Sequence, residues 1–219
     1  GLASTISITV GVGLLTLYFF KVEKYVSFSP ALWRPRFDIW RKMMDIGLPA
    51  GGEMLLLFVY FSAVYWLIQD FGAPAQAGFS IGGRIMQSIF MPTMAIAFAV
   101  GPIIGQNFGA GKADRVREAF NSGIILSSIV MFVNTVIMQW RPEVLVMFFT
   151  EDAEVIEVGA VFLQLISLNF VAQGIVFTCS GVFQGLGNTR PALLSSGVRV
   201  LIFVPIAVYL RYQPDFGIN

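Results

Sequence analysis

The chain has 219 residues, 56% of them hydrophobic and 12% charged, with a mean hydropathy of +0.76 and a formal net charge of +1. A soluble domain carries about 25% charged residues, so this composition excludes a surface wetted all round, and lipid or other apolar helices must surround most of these side chains. The near-zero charge leaves no nucleic-acid-binding signature, the single Cys179 excludes an internal disulfide and a cysteine metal cluster, and the absence of histidine leaves any proton exchange to carboxylates.

Six apolar stretches follow one another, roughly 1–20, 46–69, 78–104, 119–140, 156–183 and 191–210. Each is near the ~20 residues that a spanning helix needs. The runs are continuous rather than alternating, and no backbone polar group can stay unpaired in lipid. The prediction is an all-α polytopic bundle with six spanning segments. The first stretch opens directly on Gly1 and lacks both a basic leader and an Ala-x-Ala-like cleavage site, so it reads as a helix of a longer protein rather than a signal sequence. The connector 21–45 mixes Trp33, Phe37 and Trp40 with Arg34, Arg36, Arg41 and Lys42. That composition suits the lipid headgroup zone as well as an ordinary basic loop.

Lys and Arg set the orientation. The connector, the 105–119 loop (Lys112, Arg115, Arg117) and the 184–191 loop (Arg190) hold ten basic residues, whereas the opposite side holds only Arg141 and Arg211. The basic side, residues 21–45, 105–117 and 184–191, is predicted to be cytoplasmic, with the chain in the plasma (inner) membrane. Residues 211–219 then form an external loop.

Ionisable residues inside apolar stretches mark function by default, because each costs about 2.5–3.5 kcal/mol on insertion scales. Glu53, one turn after Pro49, is the only carboxylate of this kind. It is a candidate for proton or cation exchange or for meeting a cationic substrate, and equally for a structural pair with Arg199, which enters to a similar depth after Pro191. Arg84 lies near the outer end of its stretch with Gln87 on the same face, suited to snorkelling or a structural contact. Asn169 and Gln173, four apart, share a helix face and can bond a substrate or a neighbouring helix. Met86, Met91, Met94, Phe90 and Phe98 can line a permissive cavity or face lipid. Pro92, Pro102 and Pro205 can bend their helices. Without histidine or a pair of intramembrane carboxylates there is no acid–base couple, hence no catalytic residue, no metal-ligand set and no enzyme.

The segment Gly105-Gln106-Asn107-Phe108-Gly109-Ala110-Gly111-Lys112-Ala113 is not a phosphate loop, because its spacing is wrong and Ala113 stands where Ser or Thr is required. Its glycines suit a helix stop and a tight turn. With Ile104 and Ala119 it resembles the loop after the eighth helix of multidrug and toxic compound extrusion (MATE) transporters. Ile46-Gly47-Leu48-Pro49-Ala50-Gly51 resembles the start of their seventh helix, and Phe183-Gln184-Gly185-Leu186-Gly187-Asn188-Thr189-Arg190-Pro191 their tenth-to-eleventh loop.

The resemblance implies that residues 1–20 end a sixth helix and that 21–45 form a cytoplasmic link between two lobes. It makes residues 46–210 helices seven to eleven of a C-terminal lobe, with the N-terminal lobe and twelfth helix outside the chain. It implies a secondary antiporter that exports organic, often cationic or aromatic compounds in exchange for protons or sodium ions, with no other cofactor. Its partners would be membrane lipids, small-molecule drugs and the other lobe. The sequence departs from the sodium-site pattern: Leu57 stands where some members carry a glutamate, and Gln173 where they carry an aspartate. Two rival readings remain, a lipid-linked sugar flippase and a non-transporting scaffold or receptor.

Overall fold

The computed structural model describes residues 2–21 and 35–213, and every regular element among them is helical. The chain divides into two compact units, one up to Arg41 and one from Lys42 onward. The first contains α1 (Leu2–Lys21), a continuous apolar helix with no buried residue. It also contains the first turn of α2 (Phe37–Ile68), where Asp38 favours the positive end of the helix dipole and pairs with Arg36 at 2.9 Å. Residues 22–34 of the candidate connector 21–45 lie outside the described residues, and from Phe37 on it is helical. Residues 214–219 of the expected external loop also lie outside them.

The second unit holds the rest of α2, then α3 (Gly72–Gly109), α4 (Ala113–Trp140), the short α5 (Pro142–Met147), α6 (Ala153–Ser167), α7 (Phe170–Gly185) and α8 (Arg190–Arg211). The chain is a multi-pass membrane protein, but the expectation of six spanning segments is corrected. Four helical runs are long and apolar enough to cross a membrane, or five if one bent pair counts as a single span. The second and third apolar stretches do not stand apart. The gap between them is reduced to a 3-10 turn, Gln69–Phe71, and Gly72 (φ 88°) leads directly into α3, so that Phe37–Gly109 counts as a single span by length and apolar composition. The fifth stretch is interrupted: α6 and α7 meet at a 58° bend.

The bend contains neither proline nor glycine, so its freed carbonyls need other donors. Two side chains of α4 supply them. Gln139 donates from Nε2 to the Gln164 carbonyl at 2.7 Å and to Ser167 Oγ at 2.9 Å. The Thr135 hydroxyl lies 3.0 Å from the Ser167 carbonyl and 2.9 Å from its own helix's Met131 carbonyl. Ser167 returns its own hydroxyl to the Gln164 carbonyl at 2.8 Å.

α3, α4, α6 and α7 form the packed body. Ile85, Phe90, Met131, Met138, Val146, Leu163 and Phe170 make one buried cluster, and Val100, Ile104 and Val182 another. α3 and α7 approach almost backbone to backbone. A Cβ on Gly181 would fall on the Ala97 carbonyl, and one on Gly185 on the Gly101 carbonyl. Small residues at such contacts let membrane helices gain close dispersion contact where no hydrophobic drive exists between them. α2 and α8 flank this body loosely: Leu67 and Ala192 are their only buried residues.

The recognised motifs join at one end of this unit. Thr189, buried before α8, donates its hydroxyl to the Ile46 carbonyl at 2.8 Å, in the turn of α2 that precedes Pro49. Gly105 of the second motif faces the Gly185 backbone of the third. Gly111 (φ 68°) and Gly187 (φ 73°) supply the left-handed turns that end α3 and α7.

Candidate functional site

A cavity of about 330 Å³ lies where α2 and α8 stand against the packed body, and it brings together Glu53, Gln173 and Arg199 of the polar groups singled out in the sequence. α2 contributes Glu53, α7 contributes Gln173 and Ser180, and α8 contributes Arg199. The rest of the wall includes Met94, Phe98 and Phe177.

Glu53 is half-buried and takes one partner. The Ser180 hydroxyl lies 2.8 Å from Oε2 and 3.1 Å from Oε1, so a single hydrogen is shared between the two carboxylate oxygens. The Arg199–Glu53 pair, one of the two readings of Glu53, does not form; both ion pairs among the described residues involve other residues. Arg199 instead donates from Nη1 to Gln173 Oε1 at 3.1 Å and lays its guanidinium over the Tyr60 ring, 5.0 Å from the centroid. Its Nε is buried without an acceptor. The pairing expectation rested on depth alone. Depth does not fix which way a side chain points around its helix, and here α7 presents a neutral partner to each charge.

The other candidates scatter. Asn169 sits exposed at the α6–α7 bend and does not line the cavity, although it shares a helical spacing with Gln173. Arg84 and Gln87 are exposed on α3 outside it, and Arg84 has no ion pair among the described residues. Met94 and Phe98 line the cavity, Phe90 and Met86 belong to the core, and Met91 is exposed. Pro92, Pro102 and Pro205 all lie inside helices. No group of three or more histidine, cysteine or acidic residues able to hold a metal occurs among the described residues.

Sequence reasoning missed Tyr60, and Ser180 as the partner of Glu53. A signal existed. Tyr60 follows Glu53 by seven residues and Ser180 follows Gln173 by seven, two helical turns in each case, so both pairs share a face.

Fold and site together define a multi-pass membrane helix bundle with charged and polar groups gathered in a cavity beside loosely held helices. The family model MatE matches residues 49–209, and the chain belongs to that family. It is 28% identical over 201 residues to the "Probable multidrug resistance protein NorM" of Thermotoga maritima, covering 90% of this chain and 42% of that protein. It is 23% identical over 205 residues to the "Multidrug export protein MepA" of Staphylococcus aureus, covering 94% and 45%. A solved structure described as "Outward-facing conformation of a multidrug resistance MATE family transporter of the MOP superfamily" superposes with a TM-score of 0.85 at 19% identity. It covers 95% of this chain and 48% of that one. The chain thus spans somewhat under half the length of the relatives it matches.

Proposed function

We propose that this chain is the C-terminal lobe of a secondary antiporter that exports organic, cationic or aromatic compounds in exchange for protons or sodium ions. In this reading residues 1–20 end the helix that precedes the lobe, 21–45 link the lobes on the cytoplasmic side, 46–210 form the C-terminal lobe, and 211–219 face outside. A further lobe completes the transporter, which sits in the plasma membrane among lipids and is not an enzyme. Support comes from the family, from the names of the relatives and from the basic residues gathered in 21–45, 105–117 and 184–191.

The observation that carries the mechanism is the state of Glu53. It lines a cavity inside the helix bundle and its one partner is the neutral Ser180 hydroxyl. A carboxylate locked to a fixed cation cannot exchange its counter-charge cheaply; one held by a hydroxyl can take and release a proton, a sodium ion or an organic cation. Gln173 positions the neighbouring Arg199, which keeps the guanidinium off Glu53. The flippase alternative needs several cations in the cavity, and among the described residues Arg199 is the one cation that lines it.

The test uses the complete transporter in proteoliposomes with an imposed proton or sodium gradient. Glu53→Gln is expected to fold normally and to lose gradient-driven efflux of a fluorescent organic cation. Wild-type efflux rates in that variant would remove Glu53 from the mechanism. Loss under one gradient but not the other identifies the coupling ion.

A further inference from the structure

Arg199 carries a charge that no ion pair among the described residues neutralises. A guanidinium offers five N–H donors in a flat fork. One reaches Gln173 Oε1, the face rests on Tyr60, and Nε has no acceptor. The opposite charge, Glu53, lines the same cavity and is engaged separately by Ser180. Opposite charges in an apolar setting gain most by pairing, and leaving them apart forfeits that gain. Their separation therefore calls for a ligand that supplies to each what the other does not.

We infer that Arg199 is the specificity-determining residue for a carboxylate carried by the transported molecule. The inference rests on the transport reading above and adds to it the chemistry of the substrate. A carboxylate matches the guanidinium fork with two parallel hydrogen bonds, which a neutral ester or amide cannot reproduce at equal strength. Gln173 and Tyr60 hold the fork from its edge and its face, so little freedom is lost when the anion docks. Met94, Phe98 and Phe177 give an apolar bed for the body of the molecule. A basic group on the same molecule would reach Glu53. At about 330 Å³ the cavity is large enough to seat a compact amphoteric molecule.

Three matched compounds on one aromatic amine skeleton test this: the free acid, its methyl ester, and the parent amine without the carboxyl group. Binding is measured by calorimetry to the complete transporter in lipid nanodiscs. The wild type is expected to bind the acid about tenfold or more tightly than the ester, the scale of a charge-assisted contact. Arg199→Gln is expected to erase that gap while still binding the parent amine, and Arg199→Lys to retain part of it. Melting temperatures of both variants show that the comparison is made on folded protein. Equal wild-type binding of acid and ester overturns the inference, as does a gap that survives in Arg199→Gln. So does a loss in Arg199→Gln of proton-driven efflux with the acid–ester gap intact, since Arg199 would then serve Glu53 in another state. If the parent amine does not bind while the acid is still preferred to the ester, the carboxylate assignment stands and the export of organic cations proposed above fails.

Discussion

The second unit contains two kinds of helix. α3, α4, α6 and α7 meet through buried clusters and glycine-lined contacts, whereas α2 and α8 bury one residue each. The polar site lies along the seam between them. Glu53, Tyr60 and Arg199 come from the loose pair, and their hydrogen-bond partners Ser180 and Gln173 from the packed body. Helices with little buried contact move at least cost. Charges carried on movable helices, read against neutral groups on a fixed one, form an arrangement in which a small shift changes what each charge touches.

The comparison breaks most visibly at the glycines. Gly185→Val places a branched side chain on the Gly101 carbonyl, in a contact where neither backbone can retreat. The expected loss is about 3 kcal/mol or more, the upper range for overpacking, and enough to abolish most folded protein. Gly47→Ala, on the loose side, meets nothing within 4 Å. It is expected to change stability by less than about 0.5 kcal/mol. Detergent-solubilised yield and melting temperature of the two variants measure the contrast. Similar losses in both would mean that α2 is packed as tightly as α7.

The bend between α6 and α7 sharpens the same contrast from within the packed body. Gln139→Leu removes the donor to the Gln164 carbonyl and to Ser167 Oγ. The expected destabilisation is about 1–3 kcal/mol, the cost of leaving polar groups without a partner. Thr135 serves the same break, so Thr135→Val combined with Gln139→Leu is expected to depart from additivity by more than about 0.5 kcal/mol. Strict additivity would show that the two side chains act independently of the bend.

A third substitution tests what ties the loose pair down. Thr189→Val removes the hydroxyl bonded to the Ile46 carbonyl. A loss of about 1 kcal/mol is expected, together with faster hydrogen exchange around 46–50. Unchanged exchange there would mean that the motif joint does not hold the start of α2.

How far the sequence carried follows from these elements. The all-α membrane class was legible from apolar runs and low charge, and the three family motifs were legible as text. Their physical roles were not. Thr189 and Ile46 are 143 residues apart, and nothing local joins them. The number of spans was misread because Gly72 and Pro74 look like loop residues. Glycine and proline are also tolerated in the first turn of a helix, and α3 begins there. The α6–α7 break was invisible for the opposite reason: Leu168 and Asn169 carry no breaker signal, and the donors that satisfy it sit on another helix. In the site, Glu53, Gln173 and Arg199 were found because charge and amide groups are conspicuous among apolar residues. Which of the two readings of Glu53 applies was not legible, because depth along a helix says nothing of the angle around it.

The smallest expected effect concerns the far ends of the loose pair. Arg211, in the last turn of α8, reaches the Asp70 carboxylate, the Trp66 carbonyl at 3.2 Å and the Trp66 ring at 4.4 Å. Three contacts on one side chain resemble a clamp, yet the exposures differ. The Arg211 side chain is 14% exposed and that of Asp70 is 64% exposed. An ion pair with one end in solvent is screened and contributes little, so Asp70→Asn is expected to cost less than about 0.5 kcal/mol. The guanidinium keeps its carbonyl bond and its place over the indole, so Arg211→Gln is expected to cost more, about 1 kcal/mol, through the loss of all three contacts. Melting temperatures at low and high salt separate the terms: any Asp70 effect is expected to vanish at high salt, and the Trp66 contacts to persist. A salt-insensitive loss in Asp70→Asn equal to that of Arg211→Gln would mean that the pair is shielded from solvent, and that α2 and α8 are fastened at this end rather than free to shift.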